Sequence, residues 1–302
     1  MIAALLAGLV FFSLFVGRLP PAWLAVICLA MAAVFLLAKG HHHDSVLTMD
    51  VYARRSRLCR ENAALKAAGS LGLLILCLCS SSPLPPLCLF IFLSAVTVVA
   101  GGIQLREYLS LLGMPVMFLL LSALTLLWDF FPFVPQQAVV SVPLFGGWLA
   151  VVPAAQTLGE LVLSRALGAV SCLYFLSLST PLPELLEVLR RVRLPDIVIE
   201  LAVLIYRYIF ILLATFHDMR DSAASRLGYH GLKRSLRTTG LVYGRLLAGS
   251  FHRAGACFDA MESRCYTGQI CFLTQNKKVT AKLICLLAVP LAGMLAGIWL
   301  GF

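Results

Sequence analysis

Charged residues are scarce in this chain. Of its 302 residues only 13% are Asp, Glu, Lys or Arg, whereas 61% are hydrophobic, and the mean hydropathy is +0.94. A soluble globular domain carries about 25% charged residues, so the composition excludes that class. Long apolar segments with few charges predict an all-α, polytopic membrane protein, because a helix satisfies its own backbone polar groups in lipid.

Motifs that carry catalysis are also missing. The sequence has no GxxxxGK[ST], GxSxG or HExxH, so it predicts neither a P-loop ATPase nor these hydrolase and protease classes. Its ten cysteines include no CxxC pair, which favours small buried apolar residues over a zinc or redox site. His41, His42 and His43 do not share one helix face, and we interpret them as a juxtamembrane loop rather than a metal site. We therefore expect no catalytic residue, no metal ligand and no bound cofactor.

Positive charge is in excess, with 24 Lys and Arg against 14 Asp and Glu. In a membrane protein this excess marks the cytoplasmic side. The basic cluster within residues 44–66 is therefore predicted to be cytoplasmic, and residues 129–164, which hold no Lys or Arg, to form outer re-entrant or interface-hugging loops. About seven spans are expected, at residues 2–17, 22–38, 67–82, 87–102, 109–128, 158–180 and 281–300.

The segment 181–279 is predicted to be a cytoplasmic module. Its first long apolar stretch contains Glu200 and Arg207, each costly at bilayer depth, and many basic residues follow. Apolar residues recur every three or four positions, in one stripe at Ile197, Leu201, Leu204, Tyr208, Ile211 and Ala214 and in another at Tyr243, Leu247, Phe251, Ala254, Phe258 and Met261. This predicts two long amphipathic helices that cross, with αL caps at Gly228, Gly231 and Gly268.

The predicted domains follow from these boundaries. Residues 1–43 form an N-terminal transmembrane hairpin, 44–180 a membrane-spanning domain with a cytoplasmic amphipathic entry segment, 181–279 the cytoplasmic helices and 280–302 a last transmembrane helix. Within the span 158–180, Arg165 is expected to make a structural pair with Glu160 or Asp129.

Two similar sequences end the two long helices. They read "AASRLGYHG", with Ser225 and Arg226, and "AMESRCYTG", with Ser263 and Arg264. One arginine at a helix end is ordinarily a solvated residue that complements the helix dipole by about 0.3 to 1 kcal/mol. Repetition at two helix ends favours a docking device, because a guanidinium makes bidentate bonds to carboxylates or carbonyls of a partner.

The chain resembles the transmembrane coupling subunit of energy-coupling factor transporters, in particular the cobalt-transport CbiQ type. The resemblance covers residues 49–302 and rests on "MDVYARRSRL", "LPDIVIELAVLIYRYIF", "SRLG" and "AMESRCYTG". It implies that Arg226 and Arg264 insert into grooves of two ATP-binding-cassette subunits, which hydrolyse ATP. Serine stands at 225 and 263 where the family has alanine, and Leu227 and Cys265 stand where glycine is common.

Further partners follow from the same resemblance. It implies a CbiM-like metal-binding membrane subunit, a small accessory subunit, membrane lipid and no nucleic acid. The expected cargo is cobalt, with nickel or another micronutrient as the alternative, and the expected location is a bacterial inner membrane. The segment 1–43 is either an extra anchor or a fused counterpart of the accessory subunit. Two alternatives remain from the residues alone: an integral-membrane enzyme, which lacks a close nucleophile–base set, and a scaffold binding anionic lipid or nucleic acid, against which interleaved acidic residues argue.

Overall fold

The computed structural model describes residues 2–15, 48–131, 139–144, 147–192, 194–266, 277 and 280–299. These residues form helices with three short strands, in the order α1 Ile2–Phe15, α2 Thr48–Arg55, a 3₁₀ helix Arg57–Arg60, α3 Ala63–Cys79, α4 Leu84–Val99, α5 Leu105–Leu127, β1 Asp129–Phe131, β2 Val140–Leu144, β3 Gly147–Val151, α6 Pro153–Ser179, α7 Leu182–Arg191, α8 Asp196–Ser225, α9 Leu232–Glu262 and α10 Ala281–Trp299. The chain divides into two compact units, Met1–Leu182 with Asn276–Phe302, and Pro183–Gln275.

The first unit is built around the apolar helices α3, α4, α6 and α10. Their shared core is Leu58, Leu73, Cys77, Leu89, Leu93, Val96, Cys172, Phe175, Leu283, Leu287 and Met294. Helix α3 starts where the Asn62 side chain accepts hydrogen bonds from the backbone N–H groups of Ala64 and Leu65, an N-cap. Helix α6 can approach α3 closely because residue 168 is glycine. A Cβ at that position would lie 2.6 Å from the Sγ of Cys77 in α3.

Helix α1 belongs to the same unit. Val10 and Leu14 are buried in a cluster with Leu120 and Leu127 of α5, and the Gln156 Nε2 of α6 donates to the backbone oxygen of Ser13 at 3.0 Å. This buried polar bond fixes the register of α1 against α6. The remainder of the predicted hairpin, from residue 16 to 43, lies outside the described residues.

Lys66 and Arg165 are among the basic side chains of this unit that bind backbone carbonyls. Lys66, expected in the cytoplasmic basic cluster, is fully buried, and its Nζ donates to the oxygens of Leu58 at 3.0 Å and Ser179 at 2.7 Å. It therefore caps the carboxyl end of α6. Arg165 has a different partner from those expected, because its guanidinium donates through Nε, at 2.9 Å, and through Nη2 to the oxygen of Ser80.

The segment 129–164 is not the set of loops that the sequence predicts. Its described residues form an antiparallel sheet in the order β1-β3-β2, with Phe130 opposite Leu149 and Ser141 opposite Ala150, and α6 already begins at Pro153. β-Branched residues such as Val140, Val142 and Val151 favour strands here.

The predicted all-α membrane architecture is confirmed in its main features. Among the described residues three helices are long and apolar enough to cross a membrane, Leu105–Leu127, Pro153–Ser179 and Asp196–Ser225, and three shorter apolar helices are Ala63–Cys79, Leu84–Val99 and Ala281–Gly297. Helix α8 thus qualifies by length and composition. The cytoplasmic position of 181–279 and the domain boundaries stay predictions.

Candidate functional site

The candidate docking residues lie on a helical hairpin in the second unit. Helices α8 and α9 run antiparallel: the rings of Phe216 and Tyr243 stack with centroids 5.7 Å apart, and Arg253 Nη1 donates to Thr215 Oγ1 at 2.8 Å. Because each helix carries its arginine at its carboxyl end, Arg226 and Arg264 lie at opposite ends of the hairpin. Thirty residues of helix separate two such ends by about 45 Å.

The carboxyl end of α8 is a Schellman motif. The N–H of Leu227 donates to the oxygen of Ala224 at 2.9 Å, and the N–H of Gly228 donates to the oxygen of Ala223 at 2.9 Å. Leu227 adopts the left-handed conformation, with φ 55°. Arg226 is the last residue before this reversal, which satisfies carbonyls that the helix end leaves open.

The carboxyl end of α9 has the same geometry. The N–H of Cys265 donates to the oxygen of Glu262 at 3.0 Å, the N–H of Tyr266 donates to that of Met261 at 3.1 Å, and Cys265 has φ 57°. Arg264 therefore occupies the position that Arg226 occupies on α8. The two helices end in one structural motif, although only part of the sequence repeats.

The prediction that glycine supplies the αL cap of α8 is wrong. Leu227 takes that conformation, and Gly228 follows it as the donor of the hydrogen bond to the oxygen of Ala223. Gly231 does have a positive φ, 88°, but it precedes the first residue of α9. Gly268 lies outside the described residues. The αL positions are those where the resemblance expects glycine, so this chain keeps the backbone motif without the residue that adopts it at least cost.

All four candidate site residues are exposed. The hydroxyls of Ser225 and Ser263 bond within their own helices, to the oxygens of Asp221 at 2.9 Å and Ala260 at 3.0 Å. In the described part of the chain no hydrogen bond or ion pair is assigned to the guanidinium of Arg226 or of Arg264. A groove of about 480 Å³, lined in part by Thr215, Thr238 and Arg245, borders Arg226.

Most residues of the two apolar stripes are exposed, so the stripes as a whole do not pack across one another as predicted, although Tyr243 of the second stripe stacks on Phe216 of α8. Ile197 is 77% exposed, Leu201 58% and Phe251 72%, whereas Ile199 and Val242, outside the stripes, are buried. The helix contact instead uses aromatic and polar residues. Exposed apolar surface of this extent marks a site for lipid or a protein partner.

Two side chains that sequence reasoning missed hold the arginine-bearing ends. Thr238 Oγ1 of α9 donates to the oxygen of Gly228 at 2.8 Å. The Tyr266 hydroxyl donates to Oε2 of Glu200 on α8 at 2.7 Å, and this bond raises the pKa of Tyr266. In the sequence, Glu200 is the residue that indicates such a contact, because a carboxylate in an apolar helix requires a hydrogen-bond donor.

Among the described residues no group of three or more His, Cys, Asp and Glu side chains lies close enough together to hold a metal ion. His41, His42 and His43 lie outside these residues.

Comparison with known proteins gives one family. Residues 55–275 match the family model described as CbiQ, cobalt transport protein. An uncharacterised protein of Methanocaldococcus jannaschii is 30% identical over 241 residues, which cover 80% of this chain and 88% of that protein. The cobalt transport protein CbiQ of Rhodobacter capsulatus is 28% identical over 253 residues, which cover 83% of this chain and 98% of that protein. A protein of Methanocorpusculum labreanum described as a fused cobalt transport protein CbiMQ is 31% identical over 205 residues, 66% of this chain and 33% of that one.

Proposed function

This chain belongs to the CbiQ cobalt transport protein family, and from that premise we propose that it is the transmembrane coupling subunit of an energy-coupling factor importer. It is a membrane component of cobalt transport and not an enzyme. In the proposed complex two ATP-binding-cassette subunits hydrolyse ATP, and this chain transmits their movement to a subunit that binds the metal.

The observation that carries the proposal is the pair of matching helix ends. Arg226 and Arg264 each stand one residue before an αL reversal and are exposed. A guanidinium held at a helix end presents a planar fork of donors, which fits a carboxylate or exposed carbonyls in a partner's groove. Two such ends at opposite ends of one hairpin provide one docking point for each of two ATPases.

The exposed apolar stripes of α8 and α9 support a second partner. Their extent suits the hydrophobic surface of a membrane subunit, which we propose to be CbiM-like, since the Methanocorpusculum relative is described as a fused CbiMQ. The cargo is cobalt, with nickel as the alternative, and its ligands lie on that partner, as the ATP sites lie on the ATPases. ATP-driven closure would move the two arginine-bearing ends, and α8 and α9 would carry this movement to the metal-binding subunit.

We place the chain in the cell membrane with several spans and with residues 181–279 in the cytoplasm. The buried Glu200 accepts a hydrogen bond from the Tyr266 hydroxyl, which lowers the cost of its burial. Arg207 is exposed, and placing its charge against lipid would be costly. The cytoplasm is also where the ATPases reach the two helix ends.

Alanine replacement at both helix ends tests the proposal. Removing one partner of a desolvated charge pair costs about 2 to 5 kcal/mol of association, so Arg226→Ala with Arg264→Ala should release the ATPases in co-purification. Lysine should rescue poorly because its point charge lacks the fork. Arg234→Ala with Arg237→Ala, two exposed arginines inside α9, is the matched control and should retain them. Equal ATPase recovery from both double variants would contradict the proposal.

A further inference from the structure

Burying the Glu200 side chain in the apolar part of α8 is energetically costly. It lies in the first turns of the apolar helix α8 and is only 5% exposed, and a buried carboxylate is tolerated only where donors satisfy it. The Tyr266 hydroxyl supplies one such hydrogen bond at 2.7 Å, across 66 residues of sequence. A charge-assisted bond of this kind is about twice as strong as a neutral one.

Tyr266 is joined to the arginine by the helix end itself. It is the residue whose N–H closes the Schellman motif on Met261 at 3.1 Å, and it lies two residues after Arg264. The backbone between them is fixed by the αL residue Cys265. Holding the Tyr266 side chain therefore limits the directions that the end of α9, and with it Arg264, can take.

The other helix end is held at the equivalent position. Gly228 closes the Schellman motif of α8, and its oxygen accepts a hydrogen bond from Thr238 of α9. Each arginine-bearing end is thus fastened, at the residue that follows the αL position, by the helix that does not carry that arginine. The hairpin has one cross-bond for each docking end.

We propose that Glu200 is a positioning residue for docking, which holds Arg264 in the direction that its ATPase accepts through the Tyr266 hydroxyl. The inference rests on the proposed docking function of Arg264 and deepens it. The Thr238 bond to Gly228 has the same role for Arg226. Neither Glu200 nor Tyr266 touches the ATPase in this account, because both act through the backbone of the helix end.

Tyr266→Phe removes the hydroxyl and keeps the ring, so it tests the bond with little change in packing. We expect the apparent affinity for the ATP-binding-cassette subunits that co-purify with the intact chain to fall about tenfold, in line with loss of one hydrogen bond to a charged group. Maximum binding at saturating ATPase should be unchanged, which a misfolded variant would not show. Tyr229→Phe, at the exposed tyrosine that follows Gly228, is the matched control and should leave the affinity unchanged.

A double-mutant cycle completes the test. Glu200→Gln keeps an acceptor for the hydroxyl, so its loss of affinity should be smaller than that of Tyr266→Phe, and the combined variant should be no weaker than Tyr266→Phe alone. Additive losses, or an affinity for Tyr266→Phe equal to that of Tyr229→Phe, would overturn the positioning role. If Arg264→Ala itself left ATPase binding intact, the docking function would fail instead, so the two failures are distinguishable.

Discussion

Glycine at the two αL positions should stabilise the arginine-bearing helix ends. Leu227 and Cys265 have φ 55° and 57°, a conformation that costs an L-residue about 1 to 2 kcal/mol. Glycine avoids that cost, although its larger freedom in the unfolded chain offsets about 0.5 to 1 kcal/mol. Leu227 is 63% exposed, so little packing is lost with its side chain. We therefore expect Leu227→Gly and Cys265→Gly each to stabilise its helix end by about 1 kcal/mol, which is roughly a fivefold smaller open population.

Amide hydrogen exchange of the full chain in a lipid nanodisc measures this effect where it arises. The N–H groups of Leu227 and Gly228 close the motif on Ala224 and Ala223, so peptides covering 223–229 should exchange more slowly in Leu227→Gly. Leu247→Gly is the matched control. Leu247 is 61% exposed, a fraction similar to that of Leu227, but it lies inside α9, where glycine costs about 1 kcal/mol relative to a good helix former.

The two leucine variants should therefore change exchange in opposite directions, slower at the end of α8 and faster within α9. Faster exchange around 227 in the glycine variant would refute the reasoning, because it would mean that Leu227 is not held in the left-handed conformation or that its side chain stabilises the end. Slower exchange within α9 in Leu247→Gly would also refute the reasoning, because glycine inside a helix should destabilise it.

Two further predictions concern the membrane unit and the topology. Gln156→Leu should lower the melting temperature of the full chain, because it removes the bond to Ser13, and should lower it less in a chain starting at Met49, which lacks Ser13. An equal loss in both chains would contradict the role given to the contact between α1 and α6, and the chain from Met49 should still bind the ATPases. In a cysteine-free background, His230→Cys should resist an impermeant maleimide applied outside intact cells, and strong labelling would show that α8 crosses the membrane.

The positions of the apolar helices could be predicted from the sequence, because a run of apolar residues is a local property. The spans expected at 109–128 and 281–300 correspond to α5, Leu105–Leu127, and α10, Ala281–Trp299. The strands between Asp129 and Val151 were missed, since pairing depends on partners up to 21 residues apart. The partners of Arg165 and Lys66 were missed for a related reason: both bind backbone oxygens, which no residue pattern indicates.

At the candidate site the sequence indicated two helix ends with a similar pattern but not how they are built. The repeated Ser-Arg pair identified Arg226 and Arg264, and the structure places both at one position of the same backbone motif. Glycine was the expected αL residue because its cost there is lowest, so a pattern-based argument passed over Leu227 and Cys265. The bond between Glu200 and Tyr266 joins the start of α8 to the residues that follow α9, and only the antiparallel packing of the two helices brings those residues together.

ATP-dependent cobalt uptake by the assembled complex in proteoliposomes tests the central claim most directly. If Arg226 and Arg264 are the points at which the ATPases drive this chain, the variant with alanine at both should insert normally and lose uptake, while the control with alanine at Arg234 and Arg237 should transport at the rate of the unaltered protein. Uptake at the unaltered rate in the Arg226 and Arg264 double variant would contradict the claim that these helix ends couple ATP hydrolysis to transport.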